Sequence, residues 1–282
     1  MTLLSRLWSA NWMTRFSVIY LFILAILGIL IPFFPQFDPT FFDPNTLGDP
    51  MAPSWTHWFG TDDLNRDILI RSIYGARISL TVGVVAVGIS TMMGVLYGLI
   101  SGSVGGRTDS VMMQVLELFM AIPSIFLILT VQLILSPSIY NVMIVIGLTS
   151  WMGVARLVRA EVLSVKERVF MTAARARGLS EFRIMFKHLL PHTLNPVIVS
   201  ATLGIGGAIL TESVLSFLGL GVQPPHPSWG NMLENSLAYM TDAPWMTIIP
   251  GLLITLTVLA FNFLGDGIRI VFQPKDTDHV RN

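Results

Sequence analysis

Cysteine is absent from the 282-residue chain. Disulfides, thiolate zinc sites and a cysteine nucleophile are thereby excluded. Charge is scarce: Asp, Glu, Lys and Arg make up 12% of the residues, against about a quarter in soluble domains. The lysines, Lys166, Lys187 and Lys275, follow Val165, Phe186 and Pro274. A phosphate-cradling loop needs Gly-Lys followed by Ser or Thr, so the chain has no such loop of its own. No Gly-x-Ser-x-Gly elbow and no His-Glu-x-x-His helix occurs. His188 and His192 flank Pro191 among basic residues, which suits contact with a partner better than metal binding, and His57, His226 and His279 are scattered. The cluster Asp62, Asp63 and Asp67 lacks the alternating ligands and central glycine of a calcium loop. No catalytic or metal constellation remains, and no internal repeat is visible.

What the chain has in quantity is apolar length. Hydrophobic residues make up 53% and the mean hydropathy is +0.69, the signature of a membrane protein. After a short head carrying Arg6 and Arg15, residues 16–37 hold no charge until Asp38. At about 1.5 Å per residue this run reaches about 33 Å, enough to cross the hydrocarbon core. It lacks a clear small-residue cleavage site, so it reads as an uncleaved first span. Residues 36–76 are rich in Pro and Asp and read as an irregular extramembrane segment. That segment ends in an amphipathic helix at the membrane surface, capped by Thr61 or Asp62, with Leu64, Ile68 and Ile73 on one side.

Five further spans follow. Residues 78–106 form the second, with Gly83, Gly88, Gly94 and Gly98 as close-packing positions. Residues 111–135 form the third, broken by Pro123, and residues 140–157 the fourth. The fifth is 194–218 and the sixth 244–265, with a polar, turn-rich connection at 219–243. The fold class is therefore an all-α integral membrane protein with six transmembrane helices. With the N-terminus inside, only Arg66, Arg71 and Arg77 of the 17 Lys and Arg residues fall outside. That positive-inside bias places both termini in the cytoplasm. Ionisable groups inside spans are functional candidates, and Glu117, Gln132, Glu212 and Asn262 are the candidates for a polar path.

The most basic stretch, MTAARARGLSEFRIMFKHLLP at 171–191, lies between the fourth and fifth spans. Met171, Ala174, Gly178, Phe182, Met185 and Leu189 recur at the spacing of one helix face. Gly178 suits a left-handed helix end and Ser180 the cap of the next helix. Pro191 disfavours helix at Leu190 and should end the second piece. Ala173, Ala174, Gly178, Leu190 and Pro191, with Thr172 in place of a Glu, resemble the "EAA" loop of ABC importer permeases. The run from Phe59 resembles the FGTD-x-x-GRD signature of the peptide and nickel branch, with Asn65 where that branch has Gly. SFLGLGVQPPHPSWGNML, from Ser216, resembles the same branch.

This resemblance implies the type I importer permease fold, in the bacterial inner membrane. It divides the chain into 1–76 (head, first span and outer segment), a core at 77–274 with a coupling loop at 158–192, and a tail at 275–282. It implies that Thr172, Ala173, Ala174, Gly178, Leu179, Ser180, His188, Leu190 and Pro191 engage an ATPase. It likewise implies that Phe59, Gly60, Asp62, Arg66, Asp67, Gln223 and Trp229 face a solute-binding protein. The implied partners are a second permease, two ATPase subunits and that binding protein, with membrane lipid around them and no nucleic acid. ATP and Mg would sit on the ATPases, leaving this chain non-catalytic and without a cofactor. Peptides are the expected cargo, with nickel chelates, glutathione or other small solutes as alternatives. An ion-coupled carrier using Glu117 and Glu212 is the reading from a different class.

Overall fold

The computed structural model describes residues 11–41 and 50–272, apart from the Arg175 side chain. The expectations for Arg6, Asp43, Pro44, Asp49 and the 275–282 tail lie outside the described residues. The architecture is helical, with one isolated β-bridge between Thr61 and Asp67 among the described residues. In chain order the elements are α1 (Trp12–Leu30, extended by a 3-10 turn Ile31–Phe33), α2 (Ile68–Val104), α3 (Gly106–Met120), α4 (Ser124–Ile134) and α5 (Ile139–Lys166). They continue with α6 (Val169–Ala176), α7 (Glu181–Ile184), a π turn (Met185–Leu189), α8 (Leu190–Phe217), α9 (Trp229–Ser236) and α10 (Trp245–Phe272). Five helical stretches among the described residues are long and apolar enough to span a membrane. The pair α3–α4, bent by 75° around Pro123, makes a sixth if counted as one broken span.

Three expectations are corrected. The amphipathic surface helix does not exist as a separate piece, because α2 runs unbroken for 37 residues from Ile68. Its N-cap is Asp67, whose Oδ1 accepts from the N–H groups of Leu69 and Ile70 at 2.8 and 3.1 Å. Arg71 and Ser72, near its start, are buried. Pro191 does not end a helix. The Leu190 N–H reaches back to the Met185 carbonyl in a π turn, and Pro191 falls in the first turn of α8, where the missing N–H costs little. The fifth span is consequently longer than expected, continuous from Glu181 to Phe217. Finally, the polar connection 219–243 contains the helix α9, held by a capping box between Ser228 and Asn231.

The largest helix pairing is α2 with α5. Gly94, Gly98 and Gly102, one turn apart, let α5 come so close that an added Cβ on Gly98 would meet the Ala155 carbonyl oxygen at 2.4 Å. Val154, Val158 and Val162 of α5 fill the seam. Apolar side chains gain nothing by leaving lipid for protein, so close backbone packing has to supply the attraction between spans. At the end of this pair nearest the connection between α5 and α6, Arg159 of α5 grips Asp109 of α3 through two bonds of 2.6 Å, and Ser101 of α2 donates to the same carboxylate. α8 and α10 pack against α2, and α1 packs against α10 through Thr14 and through Tyr20 with Thr257 (3.0 Å).

The seam generates a test. Gly98→Val should cost about 1–3 kcal/mol of packing and lower the thermal unfolding midpoint in detergent. Gly88→Ala, where an added Cβ meets nothing within 4 Å, should leave the midpoint unchanged or raise it. Equal behaviour of the two variants would remove the seam from the account.

Candidate functional site

Three regions carry the candidate residues. The first is the elbow between α5 and α8. Lys166, at the end of α5, donates to the Gly102 and Ser103 carbonyls at 2.9 Å each, so its cation meets the negative end of α2. α6 then buries Met171 and Ala174 and exposes Val169, Phe170, Thr172 and Ala173. Gly178 takes φ +73° in open space, the left-handed turn expected from the sequence. The Leu179 N–H closes the turn on the Ala174 carbonyl at 3.4 Å. Ser180 is the residue before α7, but its side chain makes no capping bond.

Ile184 and Leu189 join Val158, Val162, Val165 and Met171 in one buried cluster. Phe182, assigned to that face by its spacing, instead points outward at 71% exposure, beside Phe186 with ring centroids 4.7 Å apart. His188 and Leu190 are half-buried, while Pro191 is exposed. The elbow therefore presents an apolar pair of rings among exposed Arg177, Arg183 and Lys187.

The second region is a cleft of about 320 Å³ between α2, α5 and α8. Its polar lining is Ser90, Thr91, Ser150, Ser200 and Thr211, with Gly153, Gly204 and Gly207 leaving space, and no lining residue is charged. The expected path residues lie elsewhere. Glu117 is exposed on α3, and Asn262 is half-buried on α10. Gln132 is buried on α4, with neither amide atom hydrogen-bonded.

Glu212 is fully buried, its carboxylate accepting from Ser79 of α2 at 3.0 Å and from Ser216 at 2.7 Å. Ser216 Oγ in turn accepts from the Val222 N–H at 3.0 Å. Glu212 thus joins two spans and the connection after α8, and it lines no part of the cleft. Small hydroxyl residues with no charge leave little signal in a sequence, and a search for ionisable groups misses them.

The third region is the clasp before α2. Asp62 accepts from the backbone N–H groups of Leu64 and Arg66 and from the guanidinium of Arg66 at 2.7 Å, and lies 3.3 Å from that of Arg71. Gly60, at φ +74°, lies against the Met51 carbonyl and Trp245. Thr61 is buried and tied to Met51 at 2.9 Å and to the Trp245 indole at 3.2 Å. Asn65 adopts φ 61°, the left-handed region that Gly occupies freely and Asn tolerates, so its replacement of Gly keeps the same turn. Asp67 bonds His57 at 2.8 Å. Gly60, Asp62, Arg66 and Trp229 are buried and offer no surface to a docking protein. Trp229 instead donates to the Ser72 carbonyl at 3.0 Å in the middle of a core cluster. Of the expected outer contacts only Gln223 is exposed, with Phe59 and Asp67 half-buried.

Residues 94–275 match the family described as binding-protein-dependent transport system inner membrane component, and the chain belongs to that family. The oligopeptide transport system permease protein OppC of Bacillus subtilis is 37% identical over 266 residues, covering 94% of this chain and 87% of the relative. The dipeptide transport system permease protein DppC of Alkalihalophilus pseudofirmus is 41% identical over 262 residues, covering 93% and 86%. OppC of Haemophilus influenzae is 42% identical, covering 92% and 85%. Among solved structures, the inward-facing MetNI methionine ABC transporter aligns with a TM-score of 0.60 at 17% identity, over 73% of this chain and 98% of the matched one. That likeness concerns the fold.

The clasp yields a pH prediction. Burial first, and the neighbouring Asp62 charge second, hold the Asp63 carboxyl above the usual carboxylate range, and its Oδ1 has no hydrogen-bond partner. A carboxyl raised in the folded state favours folding while neutral, and that contribution is lost as pH rises through the raised value. Asp63→Asn should therefore slow proteolysis of the 50–67 segment at neutral pH, with the gain vanishing as pH is lowered toward about 4. A variant no more resistant than the parent at neutral pH would contradict this.

Proposed function

We propose that this chain is one permease subunit of an ATP-driven importer, lining half of a path for peptides delivered by an extracytoplasmic binding protein. The observation that carries the reading is the elbow: a left-handed turn at Gly178 beside exposed Phe182 and Phe186, set in basic residues and continuous with the span that lines the cleft. The positive-inside distribution puts this elbow in the cytoplasm, where an ATPase can seat the rings in a groove. Thr172, Ala173, Leu179, Ser180 and His188 flank that contact, and Pro191 begins the lever into α8. ATP and Mg belong to the ATPase partners, and this chain contributes no catalytic group. A second permease closes the cleft, whose Ser and Thr lining can accept varied peptide backbones through hydroxyl hydrogen bonds. The names of the relatives, oligopeptide and dipeptide permeases, support peptides as the cargo. The ion-coupled carrier gains no support, because Glu212 is committed to Ser79 and Ser216.

Gentle-detergent purification of the tagged chain from its own membranes should recover two ATPases and a second six-span protein. Gly178→Arg should preserve membrane yield and abolish peptide-stimulated ATP hydrolysis in the reconstituted complex. Purification of the chain alone, or normal coupling in that variant, would overturn the reading.

The cleft has its own test. An added Cβ at Gly207 meets nothing within 4 Å, so Gly207→Phe should fold normally yet cut peptide uptake at least about tenfold, a rise of about 1.4 kcal/mol in the transport barrier. Undiminished uptake at equal expression would move the path away from this cleft.

A further inference from the structure

A second groove, of about 270 Å³, runs on the outside of the bundle between α1 and α2. Ala25, Ile29, Leu80, Val84 and Val85 give it apolar walls, and Arg77 is the only charged residue in its lining. Gly28 sets its depth, because an added Cβ there would lie 3.3 Å from the Arg77 Cα. Arg77 is exposed and has no ion-pair partner among the described residues. Nine residues into α2, it stands about 13 Å along the axis from Ile68. It immediately precedes the uncharged run 78–106, so its guanidinium marks the headgroup end of the span, where an anion can pair with it.

We propose that this groove holds a phospholipid, with its phosphate on Arg77 and one acyl chain lying along Leu80, Val84 and Val85. The complementarity is specific to an amphiphile with an anionic head. A guanidinium donates two parallel N–H bonds to phosphate oxygens, and the apolar walls run in one direction from it. From Arg77 to Val85 the groove extends about 12 Å, close to one leaflet's share of a core about 30 Å thick. Ile29 and Val84, 64% and 55% exposed, are left for a hydrocarbon chain to cover. The leaflet is the extracytoplasmic one under the orientation proposed above, and only that detail rests on it.

The test uses the full chain in vesicles of phosphatidylethanolamine doped with trace phosphatidylglycerol carrying a diazirine on its acyl chain. A matching diacylglycerol, with the same diazirine and no phosphate, serves as the second probe. After irradiation, mass spectrometry should find the phospholipid attached within residues 25–29 and 80–85, about tenfold more than the diacylglycerol. Arg77→Gln should erase that preference and Arg77→Lys should keep part of it. If Arg77→Gln lowers membrane yield, Ala25→Phe, which fills the groove and leaves the charge, should remove labelling by both probes.

Equal labelling by the two probes, or a preference unchanged in Arg77→Gln, would overturn the assignment. So would a groove unlabelled in the assembled complex but cross-linked to the second permease, because the groove would then be a subunit interface. The readout requires neither transport nor ATPase binding, so it can fail or succeed independently of the importer reading.

Discussion

The close approach of α2 and α5 at Gly94, Gly98 and Gly102 is the contact on which the rest of the molecule depends. In a bilayer the apolar side chains of the spans lose no water when they meet, so attraction must come from many short backbone and side-chain contacts. Three glycines at one-turn spacing supply those contacts, and the valines of α5 complete them. Once the seam is fixed, the end of the pair beside the elbow is fixed too. Lys166 closes the carbonyls at the end of α2, and the Asp109–Arg159 pair ties the start of α3 to the same place. The seam also determines where the cleft can be. The cleft lies along the side of this pair that faces α8, and residues of all three helices line it.

The opposite end is organised by buried polar groups, which in a low-dielectric setting are stable only when satisfied. Asp67 caps α2, Asp62 gathers Arg66 and Arg71, and Trp229 donates into the first turn of the same helix. Glu212 adds the link from α2 to α8 and onward to Val222 through Ser216. The acidic and aromatic residues of the outer motifs are therefore occupied in holding the spans and their connections together. Any surface offered to a partner there must come from residues between them, such as Gln223.

This division explains what could be read from the sequence. Spans were legible because hydropathy summed over about 20 residues outweighs any single exception. The Gly178 turn and the bend at Pro123 were legible because each residue acts on its own backbone. Phe182 is misassigned by its spacing because periodicity says which residues share a face, and only tertiary packing says which face is covered; Trp229 is misassigned because a resemblance in sequence carries no burial, and its ring lies in the core. Pro191 was misassigned because the π turn before it rearranges the backbone bonds that the proline would have broken. The cleft was invisible for another reason: its lining is Ser, Thr, Gly and Ala, residues that serve equally as helix-packing positions.

The absence of a break at Pro191 has a mechanical consequence. Had the helix ended there, movement at the elbow would have been absorbed by a flexible joint. Instead α7, the π turn and α8 form one continuous helical rod from Glu181 to Phe217. One end carries Phe182 and Phe186, the middle lines the cleft through Ser200, Gly204, Gly207 and Thr211, and the far end holds Glu212 and Ser216. Ile184 and Leu189 are packed against the end of α5, providing a fulcrum close to the driven end. The π turn and Pro196, which has no N–H to bond the His192 carbonyl, are places along the rod where hydrogen bonding departs from the α pattern, so a bend can form there without unfolding a turn. Under the importer reading proposed above, a displacement at the rings would be carried along this rod to the residues that line the cleft.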